Sequence, residues 1–240
     1  MVIAIVALLM AILMPALQRV KKQAQAVACM SNIKQWSYCW HMYLEDSGGT
    51  FPTGADASGD WPEKLRPFYK DRGALTLCPT ATKPYTDGGR VPFGAWRWTV
   101  QGGGWTDFES KPGEDYGSYG MDEWLSDREG ENYWRTREQK KASTIPLFFD
   151  CVVWDTYCDD THAPPDIDGV VSNEMHLVCI NRHKGYINTV FLDLNVRKVG
   201  LKELWTLNWH RTFDIQGIWT TAGGVTASDW PDWMRHLKEF

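Results

Sequence analysis

The sequence predicts an α+β protein: a long N-terminal helix followed by a globular domain built on an antiparallel β-sheet. Three observations predict it. The chain opens on an uncharged apolar run whose hydrophobic pattern continues at helical spacing well past its first charges. A continuous apolar run of strand length, IPLFFDCVVW, occupies 145–154. Two further runs, YINTVFL and NVRKV, flank a short turn at Asp193, as in a hairpin.

The helix comes first. In MVIAIVALLMAILMPALQRVKK no charge precedes Arg19, and then Arg19, Lys21 and Lys22 arrive together. As a helix, residues 1–17 reach about 26 Å, against roughly 30 Å of bilayer core, so the run is slightly short for a span. A secretory signal needs basic residues before the apolar run and a small-residue cleavage site after it. Here no basic residue precedes the run, and AQA (24–26) and AVAC (26–29) lie beyond the lysines. The positive-inside rule would place the basic cluster in the cytoplasm. The helix does not stop there. Val20, Ala24, Val27, Ile33, Trp36, Trp40 and Tyr43 form an apolar stripe, and Gly48, Gly49 and Pro52 end it. The expected division is a helix over 1–47, apolar all round over 1–17, and a globular domain over 48–240.

Asp60-Trp61-Pro62 opens a short helix or turn over 61–70, since proline suits a first turn. ALTLCP (74–79) and GAWRWTV (94–100) read as strands, and 101–117 is a Gly-rich loop. GSYGMDEWL (117–125) leads into a short helix, and 126–143 is solvated and helical in part. IPLFFDCVVW is the central strand. DTYCDDTHAPPDIDG (155–169) is an exposed loop, HLVCI (176–180) a strand, and 186–199 the hairpin. LKELWTLNW (201–209) is an amphipathic helix with Leu201, Leu204, Trp205 and Trp209 on one side. In the hairpin a Leu at 194 resists the positive φ of a tight turn. The turn is expected to shift toward Asn195 or to add a bulge, with Asp193 capping it through its side chain.

The chain has 240 residues, 43% of them hydrophobic, which suits one mid-sized core with an appendage. A net charge of −5 excludes nucleic acid as the main partner, because phosphate binding needs a basic face. The 14 tryptophans fill core and contact surfaces; the alternative is an aromatic platform for glycans around GAWRWTVQGGGWTDF, including Trp105. Six dispersed cysteines, Cys29, Cys39, Cys78, Cys151, Cys158 and Cys179, show no C-x-x-C and read as disulfide candidates in an oxidising compartment. A Cys29–Cys39 bridge is disfavoured, because ten helical residues separate them by about 15 Å.

No G-x-S-x-G, H-E-x-x-H or P-loop is present, so no catalytic residue and no enzyme activity is assigned. The loop around Cys158 gathers Asp159, Asp160, His162, Asp166 and Asp168. Oxygen ligands of this kind make Asp159, Asp160, Asp166 and Asp168 candidates for calcium, although the spacing is not that of an EF-hand and a solvated acidic loop stiffened by Pro164-Pro165 is the favoured reading. His183, in NRHKG, reads as a partly buried histidine packed on the hairpin, or as a metal or catalytic residue paired with Asp193.

The opening helix, its basic turn and CMSNIKQWSYCWHMYLEDSGGTFP resemble the start of type IV pilin-like subunits and type II secretion pseudopilins. RHKGYINTVFLDLN is similar to the motif of the prepilin-type H-x9-D-G family of planctomycete-like bacteria, with His183 and Asp193 in the two motif positions and Leu194 in place of the glycine. WPEKLRPFYKDRGALTLCPTA, GSYGMDEWL and STIPLFFDC extend the resemblance over most of the chain. It implies a structural subunit whose apolar helix, through Val2, Ile3, Ile5, Leu8, Leu9, Ile12, Leu13 and Pro15, sits in the inner membrane before assembly and then packs against other copies of the chain. Pro15 matches the family's proline, and a kinked or extended stretch around 11–17 is expected within the polymer. The resemblance also implies a periplasmic or extracellular filament, and a C-terminal calcium as in some pseudopilins. Prepilin peptidase and an assembly machinery are implied as partners where a leader lies upstream; the family's leader and its Glu would precede the segment matched by Met1.

Overall fold

The computed structural model describes residues 2–52, 61–69, 75–84, 91–98 and 115–240. The α+β class is observed. Helix α1 (Val2–Asp46) is followed by α2 (Trp61–Lys64) and a 3-10 turn at Arg66–Phe68. The strands are β1 (Lys83–Pro84), β2 (Gly94–Trp98), β3 (Asp115–Gly117), β4 (Tyr119–Asp122), β5 (Pro146–Asp150), β6 (Asp155–Thr156), β7 (Tyr186–Phe191) and β8 (Val196–Gly200). They form a small sheet ordered β1-β2-β3 and a five-stranded sheet ordered β6-β4-β5-β7-β8. In the larger sheet β4, β5, β7 and β8 pair antiparallel and β6 joins β4 in parallel.

Strand β5 is central because both of its faces are apolar. Phe148 packs with Val190 and the helix on one side, and Phe149 packs with Ile187 and Phe191 on the other. The pairing of β5 with β7 shifts register between Pro146 and Phe148, and Leu147 and Phe148 both join the helix-side core. The opposite core is covered by the C-terminal segment, through Leu204, Trp205, Trp209, Trp230 and Met234.

Helix α1 has two environments. From Cys29 onward one face is buried, through Ile33, Trp36, Trp40 and Leu44 at spacings of three and four, and it lies across β5, β7 and β8. Before Cys29 the described apolar side chains lie exposed, apart from the half-buried Ala26. Leu9, Met10, Leu13 and Met14 are exposed, and Ile12, Leu17 and Val27 are 67%, 68% and 71% exposed. The docked stripe is therefore shorter than expected: Val20, Ala24 and Val27 lie outside it, whereas Ile33, Trp36 and Trp40 lie within it. The helix runs unbroken through Pro15 in the single chain. No described helix is long and apolar enough to cross a membrane. The side chains of Val2, Ile3, Ile5 and Leu8 lie outside the described ones.

Several expected elements differ. Residues 75–80 form turns, not a strand, because Leu77 O and Leu75 O are taken by the side chains of Asn32 and Trp36 instead of by a neighbouring strand. GSYGMDEWL supplies β4 and then turns, not a helix, because Tyr119–Met121 pair with β5. In 126–143 helical structure is confined to a 3-10 turn beginning at Ala142. HLVCI is the end of a 3-10 helix (Glu174–Leu177) and a turn, capped by Asn173, whose side chain accepts the His176 N–H. The segment 201–209 is a 3-10 helix over Leu201–Thr206 that buries the four expected apolar residues. The 155–169 loop is tied down, with Pro164 and Pro165 buried. Gly102–Gly104 and Trp105 lie outside the described residues.

The abundance of tryptophan has a local cause. Much of the chain is irregular, and its buried carbonyls need donors. Indole N–H groups supply them: Trp61 to Trp154 O at 2.7 Å, Trp134 to Trp209 O at 2.9 Å, Trp205 to His162 O at 2.8 Å, and Trp233 to Pro165 O at 2.8 Å.

At the hairpin, Asp193 caps as expected, its carboxylate accepting the Asn195 N–H at 3.0 Å. Of the two expected forms the turn takes the bulged one: Phe191 N–H donates to Asn195 O and Leu194 N–H to Phe191 O, so 192–194 form a three-residue loop in which Leu194 itself takes a φ of +64°. Its left-handed backbone costs about 1–2 kcal/mol, and its half-buried side chain offsets this by packing on the helix-side core. Leu194→Val is expected to lower stability by about 1–2 kcal/mol, since a β-branched residue tolerates this conformation least. Leu194→Gly is expected to be nearly neutral, because relief of strain and loss of packing oppose one another. Urea unfolding of the two variants checks both.

Candidate functional site

The most concentrated chemistry lies under α1. Cys29, the first buried residue of the docked helix face, meets Cys78 from a turn, Asp150 from the end of β5 and His183 from the loop before β7. All four are buried, and their ligand atoms lie within 4.8 Å of one another. The Cys29 thiol donates to Asp150 Oδ1 at 3.3 Å. His183 Nε2 lies 3.3 Å from Asp150 Oδ2 and 3.5 Å from Cys78 Sγ. Tyr119 O–H and Asn188 Nδ2–H donate to Cys29 Sγ at 3.4 and 3.3 Å.

Arg182 closes the site from behind. Its guanidinium is fully buried, donates to Asp150 Oδ1 at 3.1 Å, and also donates to the carbonyls of Pro92, Ser118 and Cys151. Asp150 Oδ2 accepts from the Asn188 N–H at 2.8 Å and the Asn188 side chain at 3.2 Å. Burial pushes the Asp150 carboxyl up. The His183 hydrogen bond and charge, Arg182 and the Asn188 N–H outweigh this and hold it at about 2. Burial pushes His183 down, but its bonds to Asp150 and Cys78 raise the imidazole to about 9. The two thiols divide: burial, then the bond to Cys78, pushes Cys29 well up, whereas Cys78 falls despite burial because Cys29, His183 and Arg182 favour its thiolate.

This is not a cysteine–histidine–aspartate relay. In a relay the carboxylate holds one ring nitrogen and the other faces the nucleophile; here Nε2 faces both the thiol and the carboxylate. The group is also sealed from solvent. Its chemistry suits holding a cation or closing the fold.

The predicted residues are placed as follows. His183 stacks on Tyr186 at the head of the hairpin, with ring centroids 5.7 Å apart, and Asp193 lies beyond the far end of β7, about 20 Å of strand away. The two motif residues do not meet, so the metal or catalytic pair expected of them is absent. All six cysteines are buried free thiols, and of them Cys29 and Cys78 share the cluster. Cys39 donates to Phe68 O, while Cys151, Cys158 and Cys179 lie in the opposite core. Burial raises Cys39 to about 11 and Cys151 to about 12.

The four calcium candidates are not brought together. Asp159 and Asp160 face His210, with Nε2–carboxylate distances of 3.6 and 3.8 Å. Asp166 is exposed, and Asp168 accepts the Asn181 N–H at 3.1 Å. An imidazole beside two carboxylates departs from the all-oxygen shell of calcium. Asp150 and Arg182 were not singled out from sequence. A signal existed: an aspartate at the end of the most apolar strand must be paired if it is buried.

Asp122 is a second buried carboxyl. Oδ1 accepts the Trp124 N–H at 3.1 Å, and Oδ2 has no partner among the described residues. Burial holds its pKa well above the usual carboxylate range, only partly opposed by that N–H. A raised folded pKa means stability that is fully present below the unfolded value of about 3.9 and lost as pH rises. Asp122→Asn, isosteric with the protonated acid, is expected to raise Tm at pH 7 and to leave it unchanged near pH 3. Thermal melts at the two pH values check this.

Compared with known proteins, the chain matches no family model, no curated protein and no solved structure.

Proposed function

We propose that the chain is a structural subunit of a pilin-like or pseudopilin filament that polymerises through its apolar N-terminal helix. One observation carries this reading: the contiguous apolar surface of α1 before Cys29, centred on Leu9, Ile12, Leu13 and Leu17 and exposed on all sides. Exposed apolar surface on this scale marks an interaction site. The pilin-like motifs around the helix and the hairpin support it. The helix sits in the inner membrane before assembly and exchanges lipid for neighbouring helices as the subunit joins a periplasmic or extracellular fibre. Contacts between different faces of identical subunits propagate an open helix wherever their rotation does not close into a ring, and the fibre takes that form. Prepilin peptidase and an assembly machinery act on the chain where a leader precedes it. The role is structural, with no catalysis and no cofactor that takes part in a reaction; calcium has only Asp159 and Asp160 as a starting point.

A glycan-binding surface module is the weaker reading. It needs coplanar exposed indoles, and no described tryptophan side chain is exposed. Trp96 is buried and donates to Tyr119 O at 2.8 Å. Sedimentation tests the favoured reading: the full chain is expected to pellet as polymer once detergent is removed, and a chain that stays in the supernatant contradicts it.

A further inference from the structure

The Cys29, Cys78, Asp150 and His183 cluster joins four segments distant in sequence through the donor types that borderline-soft divalent cations prefer. His183 Nε2 faces a thiol and a carboxylate at once. One ring proton serves both only as a divided three-centre bond, whereas a cation at the centre engages each ligand in full. A tetrahedral zinc ion with bonds of about 2.0–2.3 Å requires ligand-to-ligand edges of about 3.3–3.8 Å. Three of the six edges compare as 3.3 Å from Asp150 Oδ2 to His183 Nε2, 3.5 Å from Cys78 Sγ to His183 Nε2 and, through the other carboxylate oxygen, 3.3 Å from Cys29 Sγ to Asp150 Oδ1, and the four ligand atoms all lie within 4.8 Å of one another.

The surroundings fit as well. Zinc ligands are commonly oriented by outer hydrogen bonds. Asn188 and Tyr119 donate to Cys29 Sγ, and Arg182 and Asn188 donate to Asp150. Charge also balances: two thiolates and a carboxylate are offset by the two charges of zinc and the one of Arg182, with His183 neutral. Burial of all four ligands leaves no open coordination position for a substrate, which is the arrangement of a structural site.

We propose that Cys29, Cys78, Asp150 and His183 bind one zinc ion in a closed tetrahedral site that clamps α1 onto the sheet. Zinc ties the exposed half of the helix rigidly to the globular domain, because Cys29 is the first docked residue of α1. The site stands independently of polymerisation, since metal content and fibre formation are read separately.

The full chain, purified under reducing conditions, is expected to retain about one zinc per molecule. After chelation it is expected to take up Co²⁺ with the visible bands of a tetrahedral thiolate site. Cys78→Ser and His183→Ala are expected to weaken metal binding by more than about 100-fold, beyond the loss from an outer-shell change. Should either variant fail to fold, the unaltered chain decides: zinc added to the chelated protein must raise its Tm. No cobalt bands and no zinc-dependent rise in Tm would overturn the proposal, as would cobalt bands that persist in a folded Cys78→Ser protein. A Cys29–Cys78 disulfide found by non-reducing peptide mass spectrometry in the freshly isolated chain would overturn it equally, since the disulfide removes both thiolates.

Discussion

Arg182→Ala is expected to lower stability by about 3–5 kcal/mol, the usual result of removing one partner from a buried ion pair, although His183 stays beside Asp150. Asp150 would keep its buried carboxylate without the guanidinium, and the carbonyls of Pro92, Ser118 and Cys151 would lose their donor together. Against a typical total of about 5–15 kcal/mol, this brings the chain close to unfolding at 25 °C. Arg182→Lys is expected to recover little of it. An ammonium restores the charge, but it does not reach four acceptors arranged around a planar fork. Urea unfolding of the two variants beside the unaltered chain checks this; a lysine variant as stable as the parent would show that charge alone matters.

Leu13→Asp is expected to block polymerisation at the concentrations where the unaltered chain assembles and to leave the globular domain untouched. Leu13 is exposed in the single chain, so the change falls within about 0.5 kcal/mol of neutral for folding. In a packed apolar interface a carboxylate costs about 2.5–3.5 kcal/mol, by analogy with its cost inside a bilayer. That corresponds to a rise of about 100-fold or more in the concentration needed to assemble. Lys34→Asp, a change of two charge units against one at Leu13, on the exposed face of the docked half of α1, is expected to polymerise normally. The pair separates an effect of the helix core from a general effect of charge, and sedimentation at graded concentrations reads both.

The extent of α1, the central position of β5 and the β7–β8 hairpin were legible in the sequence. Each is set by hydrophobic period over a long enough window. The failures were short apolar runs. HLVCI has strand composition, yet Asn173 caps a 3-10 helix that runs into its first two residues, and the run packs in one core with Trp205 and Met234. ALTLCP gives its carbonyls to side chains of α1, a decision made by tertiary contact. Leu194 shows the reverse: its left-handed backbone is unfavourable locally and is held by the hairpin and the core. The buried cluster was half legible. The cysteines and His183 stood out by type, but spacing does not show that 29, 78, 150 and 183 converge, because the helix and the sheet bring them together only in the fold.

Cryo-electron microscopy of the assembled full chain is the most direct test of the filament. A helical fibre is expected, with the segment of α1 before Cys29 packed along its axis and the sheet outside, and with a kink or extension near Pro15. A monodisperse particle that never polymerises, even with a leader added upstream, would contradict it, as would a fibre in which Leu9, Ile12, Leu13 and Leu17 face solvent.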